Sequence, residues 1–340
     1  MRDSVDEIDL ALINALQVTP RGSWSHLAGA LSLDAATVAR RWQRLNSAGL
    51  AWVTCGVGNP RHAAFCMAYL EVECRPGHFD DVQDTLADRP EVVYLHHITG
   101  RRGLLVVVAR RTPALISEFV RQTIAPMAGI RSFHAELRTA GFVEPSRWRL
   151  GSLDPEQQRA LDTATDSEPH SSSARLDEVD QQIYLLLHED GRIPFVTLAE
   201  RTGISEPTAR RRVNRLLSSG TLRLRCEIAQ SISGWPVSAV VWANSPADQL
   251  SGAVRSLSAI PQVRLCCSLT GSRNLLLMVW VRSLDALPRL EHMLCERAPG
   301  LTVVDRAVCL HTVKQLGRLL DRDGRATAQV RTTLEAFPVP

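Results

Sequence analysis

One stretch of this chain is written twice. Residues 5–50, VDEIDLALINALQVTPRGSWSHLAGALSLDAATVARRWQRLNSAGL, return as residues 176–221, LDEVDQQIYLLLHEDGRIPFVTLAERTGISEPTARRRVNRLLSSGT. The offset is constant at 171, as from Asp6 to Asp177, and no gap interrupts it. Asp9, Arg21, Thr37, Arg40, Arg41 and Arg44 answer to Asp180, Arg192, Thr208, Arg211, Arg212 and Arg215. The match runs on through Pro90 and Pro261, Thr99 and Thr270, Gly100 and Gly271. A repeat this long is a duplicated module rather than a short solenoid period. Any fold for this chain must therefore be built from two like units.

Each copy opens with three helical patterns. Ile8, Leu12, Ile13 and Leu16 recur at helical spacing. Asp6, Glu7 and Asp9 crowd the first turn, where carboxylates suit the positive end of the helix dipole. Thr19-Pro20-Arg21-Gly22 breaks the pattern, as does Asp190-Gly191-Arg192 in the second copy. A short helix follows, then a tight turn, then a third helix with Asp34 or Ser205 as its cap. Gly49 and Gly220 mark its stop. Short helix, tight turn and longer helix make a helix-turn-helix. The apolar stretches Ala51–Val57 and Leu222–Ile228 then read as extended connectors.

A second module follows each of these. In copy one the patterns predict strands near Phe65–Cys74, Val92–Thr99, Leu104–Arg110 and Ile130–Leu137, with helices near His78–Ala87 and Leu115–Ala125. In copy two they predict strands near Val237–Ala243, Val263–Leu269, Leu275–Val281 and Leu301–Leu310, with helices near Gln249–Leu257 and Asp285–Ala298. This order is the βαββαβ, ferredoxin-like arrangement. The expected fold class is α+β: two winged helix-turn-helix domains (1–58 and 175–229) and two ferredoxin-like domains (62–144 and 234–322). Residues 145–174 read as a linker, with a turn or two of helix at Pro155–Leu161. A terminal helix is expected over Val313–Leu320, and 323–340 reads as a tail.

A net charge of +3 announces no partner, and only the placement of the charges can point to one. No apolar run approaches the roughly 20 residues that span a bilayer, so no membrane is expected. The acidic start MRDSVDEIDL does not resemble a signal peptide. The eight cysteines show no C-x-x-C spacing. A cytoplasmic protein with reduced thiols and no metal or cofactor is expected.

The third helix carries the chemistry. Val38, Trp42 and Leu45 form its buried stripe, with Ala209, Val213 and Leu216 in copy two. Thr37, Arg40, Arg41 and Arg44 are expected to face outward, as are Ser205, Thr208, Arg211, Arg212 and Arg215. Arginines gathered on one short helix suit a helix lying in the major groove of double-stranded DNA, reading guanine edges or clamping phosphates.

LDEVDQQIYLLLHEDGRI, LAERTGISEPTARRRVNRLLSSG and TGSRNLLLMVWV resemble the Lrp/AsnC family of transcription regulators. VDEIDLALINAL and TGRRGLLVVVA in copy one resemble it more distantly. The resemblance implies a winged helix-turn-helix followed by a sensor domain that dimerises through its sheets and binds an amino acid at an interface. It also implies a homo-oligomer. A tandem fusion departs from the family's usual single unit. The implied effector site is the turn Gly100, Arg101, Arg102 and Gly103 with its twin Gly271, Ser272, Arg273 and Asn274. The family commonly has aspartate where Gly103 and Asn274 stand, which puts recognition of an ammonium in doubt. Arg102 and Arg273 suit a carboxylate, so an anionic effector, an amino acid or other carboxylate, is expected. Sirohaem decarboxylases share this architecture and are the alternative. No tyrosine-rich haem-propionate motif appears, and His96-His97 meets Cys267-Ser268 in copy two. The expectation is a DNA-binding regulator, not an enzyme, reading an imperfect palindrome.

Overall fold

Asp6 starts the first helix. Its carboxylate accepts from the Asp9 amide while the Asp9 carboxylate accepts from the Asp6 amide, a reciprocal cap on α1 (Glu7–Val18). Ser23 and Asp34 cap α2 (Trp24–Leu31) and α3 (Ala35–Ser47) by accepting from the His26 and Thr37 amides. β1 (Ala51–Val57) follows, then β2 (Cys66–Cys74), α4 (Phe79–Ala87), β3 (Val92–Ile98) and β4 (Leu104–Arg110). α5 (Pro113–Phe119) runs into a π-helical turn before the long strand β5 (Ile130–Val143). α6 (Pro155–Asp162) leads to the second copy: α7 (Glu178–Glu189), α8 (Phe195–Thr202), α9 (Glu206–Ser218) and β6 (Leu222–Ile228). The chain closes with β7 (Val237–Asn244), α10 (Leu250–Ser258), β8 (Val263–Leu269), β9 (Leu275–Val281), α11 (Ala286–Arg297), β10 (Thr302–Gln315), β11 (Arg318–Leu320) and β12 (Ala326–Val330). This computed structural model describes residues 5–58, 66–162 and 176–332.

The copies pair like with like. Residues 5–58 fold with 149–162 and 176–233 in one unit, and 66–148 fold with 234–332 in another. In the first unit the expected connectors β1 and β6 pair with each other, antiparallel, from Ala51 opposite Ile228 to Val57 opposite Leu222. Each head buries its own small core, Leu12, Leu16, Leu27, Val38 and Leu45 in the first. α6 packs on α1 and α2. Just before it, the Leu150 and Ser152 amides donate to Gln17 and Asn14, two buried polar side chains of α1.

In the second unit β5 and β10 belong to both copies. Residues 130–137 of β5 pair with β2, and 138–143 pair with β8. β10 pairs first with β7 and then, beyond Cys309, with β3. The sheet order β10-β3-β4-β2-β5-β8-β9-β7, with β10 also joined to β7, closes on itself. Alternation divides each strand. Ala68, Leu70 and Val72 face α4 and α5, whereas Tyr69, Leu105, Val107, Val240, Trp242 and Leu276 meet inside the closed sheet. Both long strands overrun their expected ends because only the other copy offers partners to their second halves.

The expected terminal helix and tail are corrected. Leu316 and Gly317 both take positive φ, 46° and 76°, with Gln315 opposite Arg318. Two such residues form the tight turn of a β-hairpin and end any helix. The Asp321 carboxylate then accepts from the Asp323 and Arg325 amides and turns the chain into β12, within the expected tail.

Lys314, the only lysine in the chain, is fully buried on β10. Its Nζ donates to the carbonyls of Ala87 (2.9 Å) and Arg89 (2.7 Å), where the end of α4 leaves acceptors unpaired. Burial, then the charge of Arg331, lowers its pKa to about 7. An unfolded lysine titrates near ~10.4, so between roughly pH 7 and pH 10 the unfolded chain holds the extra proton and stability rises with pH. Below that window both states are protonated and this contribution is flat. Denaturant titrations across the window should show the rise in the wild type and its loss in Lys314→Met. An equal slope in both proteins would assign the rise to other groups.

Candidate nucleic-acid interface and effector pocket

The wheel of α3 divides as expected on its inner side, with Val38, Trp42 and Leu45 buried. Its outer side is exposed at Arg40 and Arg44, but two of its three arginines are paired. Arg41 Nη1 donates to Asp6 (2.8 Å) and Asp9 (2.9 Å), and Arg44 Nη2 donates to Asp9 (2.5 Å). Copy two repeats this with Arg212 on Asp177 (2.8 Å) and Asp180 (2.9 Å), and Arg215 on Asp180 (2.5 Å). Burial works against the Asp6 carboxylate, but the Asp9 amide and the Arg41 guanidinium outweigh it and lower its pKa. Asp177 is lowered in the same way by the Asp180 amide and Arg212. Asp9 and Asp180 are 0% and 1% exposed. A carboxylate so placed needs a cation and several hydrogen bonds. The expectation that Arg41 and Arg212 stand free and outward for DNA is therefore corrected, since both are half-buried; Arg44 and Arg215 do stand exposed, but they too are ion-paired. All four tie the third helix of a head to its first, α3 to α1 and α9 to α7.

Arg40 and Arg211 are different. Both are exposed, and among the described residues neither has an ion-pair partner. Beside them, Thr37 lies in the turn capped by Asp34, and Thr208 Oγ1 accepts from Ser205 Oγ (2.9 Å). The flanks are unlike. Arg210 pairs with Glu206 (3.0 Å) and lies 4.3 Å over the Phe195 ring, whereas copy one has Ala39 and Ala35 at those positions. The two heads thus offer one arginine at a shared place, set in different surroundings.

The turn between β3 and β4 has Gly100 and Gly103 at φ 94° and 60°, a conformation that favours glycine. Arg102 is held by Glu71 through Nε and by Asp305 through Nη2 (2.7 Å). Arg273, from the twin turn, donates to the same Glu71 (2.5 Å), with Glu136 at 3.6 Å. Both guanidiniums lie over the Trp242 ring, at 4.9 and 5.3 Å. Arg101 is exposed, 3.7 Å from Glu73. The basis for expecting a purely anionic effector is thereby corrected. The turns carry no acid, but β2, β5 and β10 bring four to them. Glu71, Glu73, Arg101, Arg102, His134 and Asp305 help to enclose a pocket of about 490 Å³ with both charge signs on its walls. At the twin turn Trp242 stands where copy one has Glu71, and the Glu136 carboxylate lies so close to Gly271 that a Cβ there would meet it at 2.7 Å. Asn274 is used locally: its side chain accepts from the Ser245 amide and donates to the Ser245 carbonyl.

Comparison with known proteins bears on both places. An AsnC-type helix-turn-helix domain matches residues 5–46 and 176–217, and an Lrp/AsnC ligand binding domain matches residues 67–142 and 238–319. Together these cover well over half of the chain. The chain belongs to the Lrp/AsnC family of helix-turn-helix transcriptional regulators. An uncharacterized HTH-type transcriptional regulator of Pyrococcus horikoshii, PH0140, is 29% identical over 150 residues, which are 44% of this chain and 94% of that protein. The regulator AldR of Mycolicibacterium smegmatis is 34% identical over 129 residues, 36% of this chain and 75% of that one. The siroheme decarboxylase NirDL matches in structure with a TM-score of 0.59 at 13% identity, across 98% of this chain and 96% of that one. This last likeness shows a shared fold.

In this Lrp/AsnC chain, Thr37 with Arg40, and Ser205 and Thr208 with Arg211, share the outer surface of the third helix of a head. The turn residues gather on one charged seam. The sequence reading missed Glu71, Glu136 and Asp305 as partners of the turns, and Asp9 and Asp180 as partners of the third helices. Asp9 did carry a signal, since it precedes Leu12 and Ile13 by helical spacing and so falls on the buried side of α1. Replacing Arg41 and Arg44 together with alanine strips a buried carboxylate of its cations. This should cost the first head about 3–5 kcal/mol in urea unfolding, and the single Arg44→Ala change less, because Arg41 remains. Equal stability of the double variant and the wild type would reduce this cluster to surface decoration.

Proposed function

We propose that α3 and α9 read two unlike half-sites of one DNA duplex, an imperfect palindrome, and that the sensor unit adjusts this binding to a small molecule. The observation that carries the DNA reading is the pair of third helices in one folded unit, each with a free arginine at the same helical position and different neighbours around it. Arg40 and Arg211 contact base edges or phosphates, Thr37, Ser205 and Thr208 add hydroxyl contacts, and the paired arginines behind them hold the helices rigid. Selection from random DNA followed by gel shifts at fixed salt tests this. Arg40→Ala with Arg211→Ala should weaken binding to the selected site by about 1–3 kcal/mol for each base these arginines read, and should lower the salt slope by roughly one for each phosphate no longer neutralised. Stability should stay within about 0.5 kcal/mol, since neither side chain is paired. Unaltered affinity would remove both from the mechanism.

For the sensor, the pocket at Gly100–Gly103 suits a ligand bearing a carboxylate and a cationic group, such as an amino acid. Arg101 serves the first, and Glu73 and Asp305 serve the second. The turn at Gly271–Asn274, closed by Trp242 and Glu136, takes none, so one ligand binds per chain. A thermal-shift panel of amino acids and simple carboxylates tests this, because a ligand at a hundredfold excess over Kd adds about 2.7 kcal/mol. Arg101→Ala with Glu73→Ala should abolish the gain. A panel that never shifts the melting curve defeats the effector reading.

The whole-chain likeness to a siroheme decarboxylase favours one second reading, an enzyme acting on a tetrapyrrole. The regulator reading expects a colourless protein that shifts DNA. Stoichiometric binding of an iron tetrapyrrole with release of carbon dioxide, and no DNA shift, would overturn it.

A further inference from the structure

We propose that Arg21 and Arg192 are positioning residues that lock the two heads at one separation and angle, so that the chain accepts its half-sites at a single spacing. The proposal rests on the DNA reading above and assigns a task to two arginines that the reading helices do not contain. Both lie in the loop after the first helix of their head, and each reaches into the opposite head. Arg21 Nη1 and Nη2 donate to the carbonyls of Gly191 (2.8 Å) and Ile193 (2.9 Å). Arg192 Nη1 and Nη2 donate to the carbonyls of Pro20 (2.7 Å) and Gly22 (2.9 Å). The exchange is reciprocal, residue for residue at the repeat offset.

Stacking completes it. Arg21 lies 4.4 Å over the Phe195 ring and Arg192 lies 3.9 Å over the Trp24 ring, the first residues of α8 and α2. Burial lowers the pKa of both guanidiniums, that of Arg192 to about 10, with the charge of Arg21 adding to the effect on Arg192. Two like charges sit side by side only where their surroundings compensate, and here four carbonyls and two aromatic faces do so.

The β1–β6 ribbon by itself would not fix the heads. A two-stranded ribbon is the most twistable of sheets. The first helices also pack across the copies, α1 on β6 and α7 on β1, and the clamp adds a tie between the two loops beside the ribbon that restrains the twist these contacts leave. Gly191 binds clamp and ribbon together: its amide donates to the Val53 carbonyl of β1, and a Cβ on it would meet Val53 Cγ1 at 2.4 Å. The clamp also reaches a reading helix, because Arg210 of α9 lies over the same Phe195 ring as Arg21. A guanidinium is needed rather than any cation, since only a planar fork spans two carbonyls and stacks on a ring.

The test uses the full chain with Arg21→Lys and Arg192→Lys, which keeps the charge seen by DNA and removes the fork. Phe195→Leu, which removes one stacking face without touching the carbonyl bonds, is the second variant. Two measurements are made. One is affinity for the selected site with base pairs inserted between its halves. A rigid pair of heads should lose about tenfold or more on a half-turn insertion, and the lysine variant about threefold or less. The other needs no DNA: the distance distribution between spin labels at Gln43 and Asn214, equivalent exposed positions on α3 and α9, attached by a chemistry that spares cysteine. A narrow distribution in the wild type that broadens in both variants supports the clamp even if no paired DNA site is ever selected, a result that would count against the DNA reading alone. An unchanged distribution, or equal spacing sensitivity in wild type and lysine variant, overturns the clamp.

Discussion

Neither copy of the sensor module can cover both faces of its own sheet. The outer face of each sheet meets its own two helices, but the inner face, with Tyr69, Leu105 and Val107 on one side and Val240, Trp242 and Leu276 on the other, is apolar and finds cover only in the other copy. Removing such a face from water is the dominant favourable term in folding. β5 and β10 then seal the seam with backbone hydrogen bonds, because each serves one copy with its first half and the other with its second. The charged pocket follows from that closure. Glu71 and the Gly100 turn come from copy one, Asp305 comes from copy two, and they meet only because β10 crosses over.

The heads solve the same problem with charge. Two small helical cores joined by a ribbon need further ties, and arginine supplies them. Arg41 and Arg44 hold a reading helix to the buried Asp9, while Arg21 and Arg192 hold head to head. These ties consume most of the positive charge that first suggested DNA, and they leave Arg40 and Arg211 as the open pair. An arginine-rich helix can therefore owe most of its arginines to its own fold. The asymmetry of the chain lies in what remains: alanines beside Arg40 but Glu206 and Arg210 beside Arg211, and Glu71 in one sensor copy where the other has Trp242.

Local order was legible in the residues themselves. The cap at Asp34, stops at Gly49 and Gly220, and the apolar stripe of Val38, Trp42 and Leu45 depend on neighbours within a turn, and all are read at that range; Ser205 stands at the expected cap position, but its hydroxyl donates to Thr208 Oγ1 and caps no amide. The duplication was legible too, and with it the presence of paired heads and paired sensors. Reading failed where a local pattern had two outcomes. Val313–Leu320 has apolar residues that fit a helix as well as two short strands, and the left-handed pair Leu316-Gly317 decided for strands.

What the sequence by itself determined is the elements up to the last strand of each copy, their order and their twofold repetition, because helix periods, caps and turns are short-range physics. What only the tertiary structure decided is which charges face each other. Asp9 and Arg41 are 32 residues apart, Arg21 and Gly191 are 170, and Arg273 and Glu71 are 202. No short-range rule reaches across those distances. The strand exchange and the ribbon set them, by bringing together the chain segments whose backbones and apolar faces had no other partner.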